Sequence, residues 1–393
     1  MQGTIRRSSV RFAQAGFSLI ELMVASTVGL LIMLAILTLY TNVTRTNDEM
    51  AKTNALIENG RLAIQLLQSD IAHAGFWDVY IPDFDDLTLP TDTAPSTVPS
   101  AVPDPCLAYS SWPGAGSENA TKNLLGIVVQ VHDSVPSGCS DLLTNRKSGT
   151  DILVVRHAET CVAGATGCES TGSDNKLYFQ ASRCEGEADY VLSTSGLTLR
   201  QRSCISTALA PKRRYVSNIY YIRDYSVTAG DGIPALVRSE FDLKDGAVIA
   251  MPPVALVEGI EGLRVDLGID SVSDADIDII STDTAVANRY TAAVKWANAK
   301  NLTSPVNRGD GVPDDEFVHC PGVCSVEQLS NVVAVKLSLL ARSQVASAGY
   351  VDGKTYTLGS QSVTPASGET GFKRHVFSTV VRLNNISGRR ETP

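Results

Sequence analysis

The chain has 393 residues, 44% of them hydrophobic and 19% charged, with a formal net charge of −9. That composition is too apolar for general disorder, and the acidic balance argues against bulk nucleic-acid binding, which needs a basic face to displace counterions from phosphate. The length accommodates two or three average domains, or one large β-rich domain with an extended helix.

Residues 1–16 carry Arg6, Arg7 and Arg11 and no acid, so their removal would take the net charge to −12. An apolar run opens directly after Gly16 and continues to Tyr40, interrupted by one charge, Glu21, the fifth residue after the glycine. Phe17 to Tyr40 would make roughly 36 Å of helix, enough to cross a bilayer. The three arginines would hold the N-terminus in the cytoplasm and place the remainder outside. A secretory signal has its apolar region before a small-residue cleavage site; here the run follows Gly16 and no such site ends it. A plain anchor accounts for length and orientation. It leaves the Gly16–Phe17 junction without a role, and also Glu21, an ionisable group costing about 3 kcal/mol at the centre of a membrane helix.

Beyond Tyr40, Val43, Met50, Ile57, Ile64 and Ile71 repeat every seven residues, with Leu67 and Ala74 three after the last two. Polar residues separate them. The pattern predicts an amphipathic helix over 41–74 that continues the membrane half (17–40) and packs the globular domain on its stripe. Gly60 is expected to mark a bend or soft point, and Gly75 a stop. Residues 75–393 read as the globular domain, opening on the aromatic stretch Phe76–Tyr80. Residues 82–121, crowded with Pro, Thr, Ser, Asp and Gly, predict a long irregular surface loop.

From Leu125 the pattern turns to β. Core strands are expected at Gly126–His132 and Asp151–His157, followed by strands over Lys176–Arg183, Tyr190–Arg202, Arg213–Val227 and Ala235–Phe241. Asp231-Gly232-Ile233-Pro234 predicts a turn. Val254–Ile269 suggests a short helical or bent segment leading into a strand. Thr284–Lys300, with Val286, Tyr290, Val294 and Trp296, predicts a helix. Pro305–Cys324 reads as a loop. Leu329–Arg342 and Phe372–Asn385 close the chain as alternating strands. The fold class is therefore α+β: a long N-terminal helical spine packed on a β-rich, disulfide-containing domain.

Eight cysteines, Cys106, Cys139, Cys161, Cys168, Cys184, Cys204, Cys320 and Cys324, all lie beyond the apolar segment. Their even number and location fit disulfides in an oxidising compartment. Eight cysteines allow 105 pairings, and joining sequence neighbours is the simplest. Zinc at Cys161, Cys168 and His157 is a rival reading, but the spacing is not a CxxC pair. No HExxH, GxSxG, Walker A or helix-opening GxGxxG is present, so neither enzymatic activity nor a cofactor is expected. The five histidines (His73, His132, His157, His319, His375) are scattered and read as surface or strand residues. Two acidic clusters, Asp270/Asp274/Asp276/Asp278 and Asp310/Asp314/Asp315/Glu316, raise the question of calcium. Neither has EF-hand spacing, and both read as solvated acidic surface, with Asp276 and Asp278 on one face of a strand.

The short basic leader, the Gly16–Phe17 junction and Glu21 together resemble the class III leader and N-terminal helix of type IV pilins and type II secretion pseudopilins. The segments Val257–Asp270, Asn331–Ser343, Lys373–Asn385 and Asp231–Arg238 resemble PilW-type minor pilins of type IV pilus assembly. The resemblance does not extend to residues 82–121 or 139–204. It implies that a membrane prepilin peptidase cuts after Gly16, that the new N-terminus at Phe17 is methylated, and that Glu21 neutralises the amine of a neighbouring subunit during assembly. It also implies a minor subunit near the filament tip. Its partners would be other minor pilins, the major pilin and the inner-membrane assembly platform, and its domain would be periplasmic before incorporation into the pilus. Alternatives are a type II secretion pseudopilin or a tip adhesin displaying residues 82–204.

Overall fold

A computed structural model describes residues 16–112, 118–169, 175–281 and 290–391. Contacts divide the chain into two compact units, Met1–Thr53 and Asn54–Pro393. The first unit contributes, among its described residues, the beginning of a 55-residue helix, α1 (Leu19–His73). Leu, Ile, Met and Ala dominate its opening turns, and no proline interrupts them, which suits a continuous helix. No residue of its most apolar 18-residue window is buried.

In the second unit α1 buries Leu56, Gly60, Ala63, Leu67 and Ile71. These recur every three or four residues, the spacing of one face of a 3.6-residue helix. The seven-residue stripe expected from the sequence is not the packed face throughout. Such a repeat drifts by about 20° per heptad on a straight helix. Ile71 lies on the packed face, Ile64 is half-buried, and Ile57, Met50 and Val43 are exposed. Gly60 is a contact point and not a soft point: a Cβ there would come within 2.1 Å of the Phe377 ring. Gly75, at φ +73°, ends the helix, and its N–H bonds the Arg156 carbonyl. The left-handed conformation there favours glycine.

The chain then turns so that Trp77 is fully buried, donating to the Leu125 carbonyl and stacking on Tyr215. The stretch 82–121 is not simply a surface loop. Phe84 and Trp112 are buried, Trp112 stacks on Phe241, and α2 (Glu118–Gly126) follows. The strand expected from Gly126 therefore starts later, as β1 (Val129–His132). A Cβ at Gly126 would lie 2.4 Å from Pro99.

Seven further strands join β1 in an antiparallel sheet: β2 (Ile152–Ala158), β3 (Tyr178–Ala181), β4 (Tyr190–Ser193), β5 (Lys212–Arg223), β6 (Ala235–Lys244), β7 (Ala247–Ala250) and β8 (Val254–Glu258). The order is β1-β2-β5-β3-β4, with β6 pairing β5, β7 and β8. β5 organises this sheet. Its β-branched and aromatic run Tyr215-Val216…Ile219-Tyr220-Tyr221-Ile222 is buried throughout, which is why it pairs with β2, β3 and β6 in turn.

Gly259 (φ +75°) separates β8 from β9 (Ile260–Ile269) and carries the chain from the first sheet into a second. Of the helical or bent reading for this region, the bend is what forms. A Cβ at Gly259 would sit 2.8 Å from the Arg342 carbonyl oxygen. A hairpin of β10 (Trp296–Asn298) and β11 (Thr303–Pro305) follows. The expected helix over Thr284–Lys300 falls partly on residues 282–289, outside the described residues; the described remainder is a turn and β10. There the Asn307 side chain takes the backbone hydrogen bonds of Lys295 and Ala293. Then come α3 (Val326–Ser330), β12 (Val332–Arg342), a hairpin of β13 (Tyr356–Leu358) and β14 (Gln361–Val363), β15 (Arg374–Arg382) and α4 (Asn384–Arg390). The second sheet runs β15-β12-β9, antiparallel.

Arg390 anchors α4. It is buried, donates to Asp85 at 2.9 and 2.7 Å, and reaches Asp270 at 3.0 Å and Asn331 at 2.9 Å. It thus joins the chain's end to the turn at Asp83–Asp85 and to the end of β9.

Two substitutions test this packing. Gly60→Ala should lower stability by about 1–3 kcal/mol in a denaturant melt, although alanine is the better helix former by about 1 kcal/mol. An unchanged or raised midpoint would mean that Phe377 does not occupy that notch. Arg390→Ala should cost about 3–5 kcal/mol, because buried Asp270 loses its cation and Asp85 keeps only the more distant Arg389. A cost below about 1 kcal/mol, the range of an exposed pair, would contradict that buried anchor.

Candidate functional site

Gly16 and Phe17 precede the helix, and Phe17 is 89% exposed. A side chain built at Gly16 would meet none of the described residues within 4 Å, so their packing gives no reason for glycine there. Ser18 and Glu21 form a reciprocal capping box: the Ser18 N–H donates to Glu21 Oε2 at 2.9 Å, and the Glu21 N–H donates to Ser18 Oγ at 3.2 Å. The pair satisfies two of the orphan donors of the helix start. Glu21 therefore has a role within its own chain, which the reading of a lone membrane charge missed. The signal was present as Ser-x-x-Glu before an apolar run. Oε1 of Glu21 accepts no hydrogen bond from the described residues. Leu19, Ile20, Leu22 and Met23 all stand exposed around it.

Within the second unit, α1 is held by a polar clamp as well as by its apolar face. Asp70 accepts from His157 Nε2 at 2.9 Å on one oxygen, and from Asn218 and the Tyr220 hydroxyl, each at 3.0 Å, on the other. His157 lies on β2, Asn218 and Tyr220 on β5. Asn59 adds a bond to the Glu258 carbonyl at the end of β8.

Disulfides join Cys106–Cys139, Cys161–Cys168, Cys184–Cys204 and Cys320–Cys324, each between sequence neighbours. The zinc reading fails, because Cys161 and Cys168 are bonded to each other and His157 is committed to Asp70. His319 contacts both oxygens of Asp151 at 3.1 Å.

The first acidic cluster does not form one surface. Asp274, Asp276 and Asp278 are exposed, but Asp276 sits in a turn at φ +56° and not on a strand. Asp270 is fully buried, contrary to the solvated reading. Burial pushes its carboxyl up to about 6, against the pull of Arg390 and the Gly311 N–H. Instead of its sequence neighbours, Asp270 meets Asp310 and Asp314 of the second cluster. Elsewhere a cleft of about 560 Å³ opens between residues 79–89 and 182–189, lined by Tyr80, Asp83, Asp86, Glu185, Glu187 and Asp189.

Asp70→Ala should leave His157, Asn218 and Tyr220 short of an acceptor and lower stability by about 2–4 kcal/mol, read as the urea midpoint. A shift under about 0.5 kcal/mol would show that the apolar face alone holds the helix.

Residues 11–37 match the prokaryotic N-terminal methylation motif, and residues 219–385 match the family model of type IV pilus-assembly protein W. A type IV-like pilin from Thermus thermophilus of known structure aligns over 66% of this chain and 83% of its own, at 13% identity and a TM-score of 0.26, a similarity too slight to carry weight. No curated protein matches the sequence.

Proposed function

We propose that the chain, which matches the models of type IV pilus-assembly protein W and of the N-terminal methylation motif, is a PilW-type minor pilin that primes or supports pilus assembly near the filament tip. The observation that carries this reading is Glu21, one carboxylate oxygen capping its own helix and the other without a hydrogen bond among the described residues, beside exposed apolar side chains. In the proposed mechanism a prepilin peptidase cuts after Gly16 and the new N-terminus at Phe17 is methylated. Among the described residues Gly16 has no packing neighbour that would demand glycine, which fits a residue selected by a protease. Oε1 of Glu21 then receives the cationic amine of an adjoining subunit. A buried charge without its partner costs several kcal/mol, so pairing favours one register of assembly.

Before assembly the protein would sit in the inner membrane with its N-terminus cytoplasmic and its domain periplasmic. Four disulfides support an oxidising compartment. Partners would be other minor pilins, the major pilin and the inner-membrane assembly platform. Removal of residues 1–16 leaves 377 residues, long for a subunit tiling a thin filament in many copies. The acidic cleft favours, as a second reading, a binding surface displayed by residues 82–204.

Glu21→Ala should leave the protein processed and membrane-bound, yet reduce its amount in sheared pili by about tenfold or more, the equivalent of roughly 1.4 kcal/mol of lost pairing. Wild-type incorporation would sink the pairing role. Gly16→Glu should leave an unprocessed band on a gel; a mature-sized band would refute cleavage at that junction. Gene deletion that abolishes surface pili while secretion of enzymes continues separates the pilus role from that of a secretion pseudopilin.

A further inference from the structure

Asp270 directly follows β9, and Asp310 and Asp314 lie on the loop before α3, about forty residues later. One carboxylate oxygen from each lies within 4.8 Å of the others. Oxygens that share a calcium ion at 2.3–2.6 Å fall within that separation. A backbone N–H pins one oxygen of each carboxylate. Gly311 bonds Asp270 Oδ2 at 2.9 Å, Val312 bonds Asp310 Oδ1 at 2.8 Å, and Ser271 and Val272 bond Asp314 Oδ2 at 2.6 and 2.7 Å.

Those bonds alone would describe an ordinary acidic loop. The further observation is Asp270 Oδ1, which is buried and has no hydrogen-bond partner among the described residues. A buried acceptor left unsatisfied is costly, and a carboxylate oxygen more so. A Cβ at Gly309 would fall 1.8 Å from this oxygen, so glycine there lets the Asp270 carboxylate pack against the loop that carries Asp310 and Asp314. Arg390 pairs with Asp270 through the other oxygen and is shared with Asp85. Among the described residues, neither Asp310 nor Asp314 has an ion-pair partner.

We propose that Asp270, Asp310 and Asp314 bind one calcium ion. All three donors are hard oxygens, with no thiolate or imidazole among them, which selects a hard cation. Asp310 is half-buried and Asp314 exposed, so water completes a shell of about six to eight oxygens. The ion ties the loop at 309–314 to the end of β9 and, through Asp270 and Arg390, to α4. It stabilises the folded chain by mass action.

The test uses the full-length protein in detergent, stripped with EDTA and titrated with CaCl2 or MgCl2 by calorimetry and thermal melting. Calcium should bind and raise Tm, with magnesium at the same concentration giving a smaller shift. D310N/D314N should weaken calcium binding by at least about tenfold, since affinity follows ligand charge. Its calcium-free Tm should stay near wild type, because asparagine keeps the backbone bonds. D274N/D276N/D278N should bind as wild type does. No calcium response in the wild-type chain would overturn the site. So would an equal response to magnesium, or an undiminished response in D310N/D314N.

Discussion

The docking of α1 through a face of small and aliphatic side chains is the interaction on which the rest of the structure depends. Gly60 and Ala63 let the helix approach closely, Phe377 of β15 fills the notch at Gly60, and Leu67 and Ile71 are buried nearer its end. Apolar contact of this kind is non-directional. Direction comes from Asp70, whose two oxygens are bonded by three side chains on two adjacent strands. Rotation or sliding of the helix would strand that half-buried carboxylate without its donors, so the polar clamp sets the register that burial alone leaves loose.

The two sheets are coupled by the same economy of special positions. At Gly259 the chain passes from β8 in the first sheet to β9 in the second, with the Arg342 carbonyl pressed against the Cα. The far end is closed by Arg390. Its bonds to Asp85, Asp270 and Asn331 gather an early turn, the end of β9 and the start of β12 around one guanidinium. A buried cation is costly unless paired, and pairing it with residues so distant in sequence makes the C-terminal helix part of the core.

Features governed by local chemistry were legible in the sequence. The apolar run, the stop at Gly75, and the β-branched strands β2, β5, β12 and β15 all follow from periodicity or turn chemistry. Features governed by partners distant in sequence were not. A heptad puts the packed face of α1 on Ile57 and Ile64, whereas the helix follows 3.6 residues per turn and buries Leu56 and Ala63 instead. Gly60 looked like a weakness because its reason, Phe377, lies more than three hundred residues away. Thr284–Lys300 has helix-like composition, but Asn307 and the β10–β11 pairing claim the backbone of its described part. Asp270 was grouped with its sequence neighbours, while the fold buries it beside Asp310 and Asp314. The capping box at Ser18 and Glu21 was readable but was masked by the rarity of a membrane charge.

At its start the same helix must satisfy a different requirement, with apolar side chains exposed, one acid among them and a glycine just before. Under the proposed function, those properties serve a subunit that leaves its leader behind and enters a filament. The most direct measurement is mass spectrometry of sheared, purified pili. The expected result is an N-terminal peptide beginning at N-methylated Phe17, present in far smaller amount than the N-terminus of the bulk subunit. Peptides that read through Gly16 in the filament fraction would contradict the account, as would finding the processed protein in membranes but never in pili.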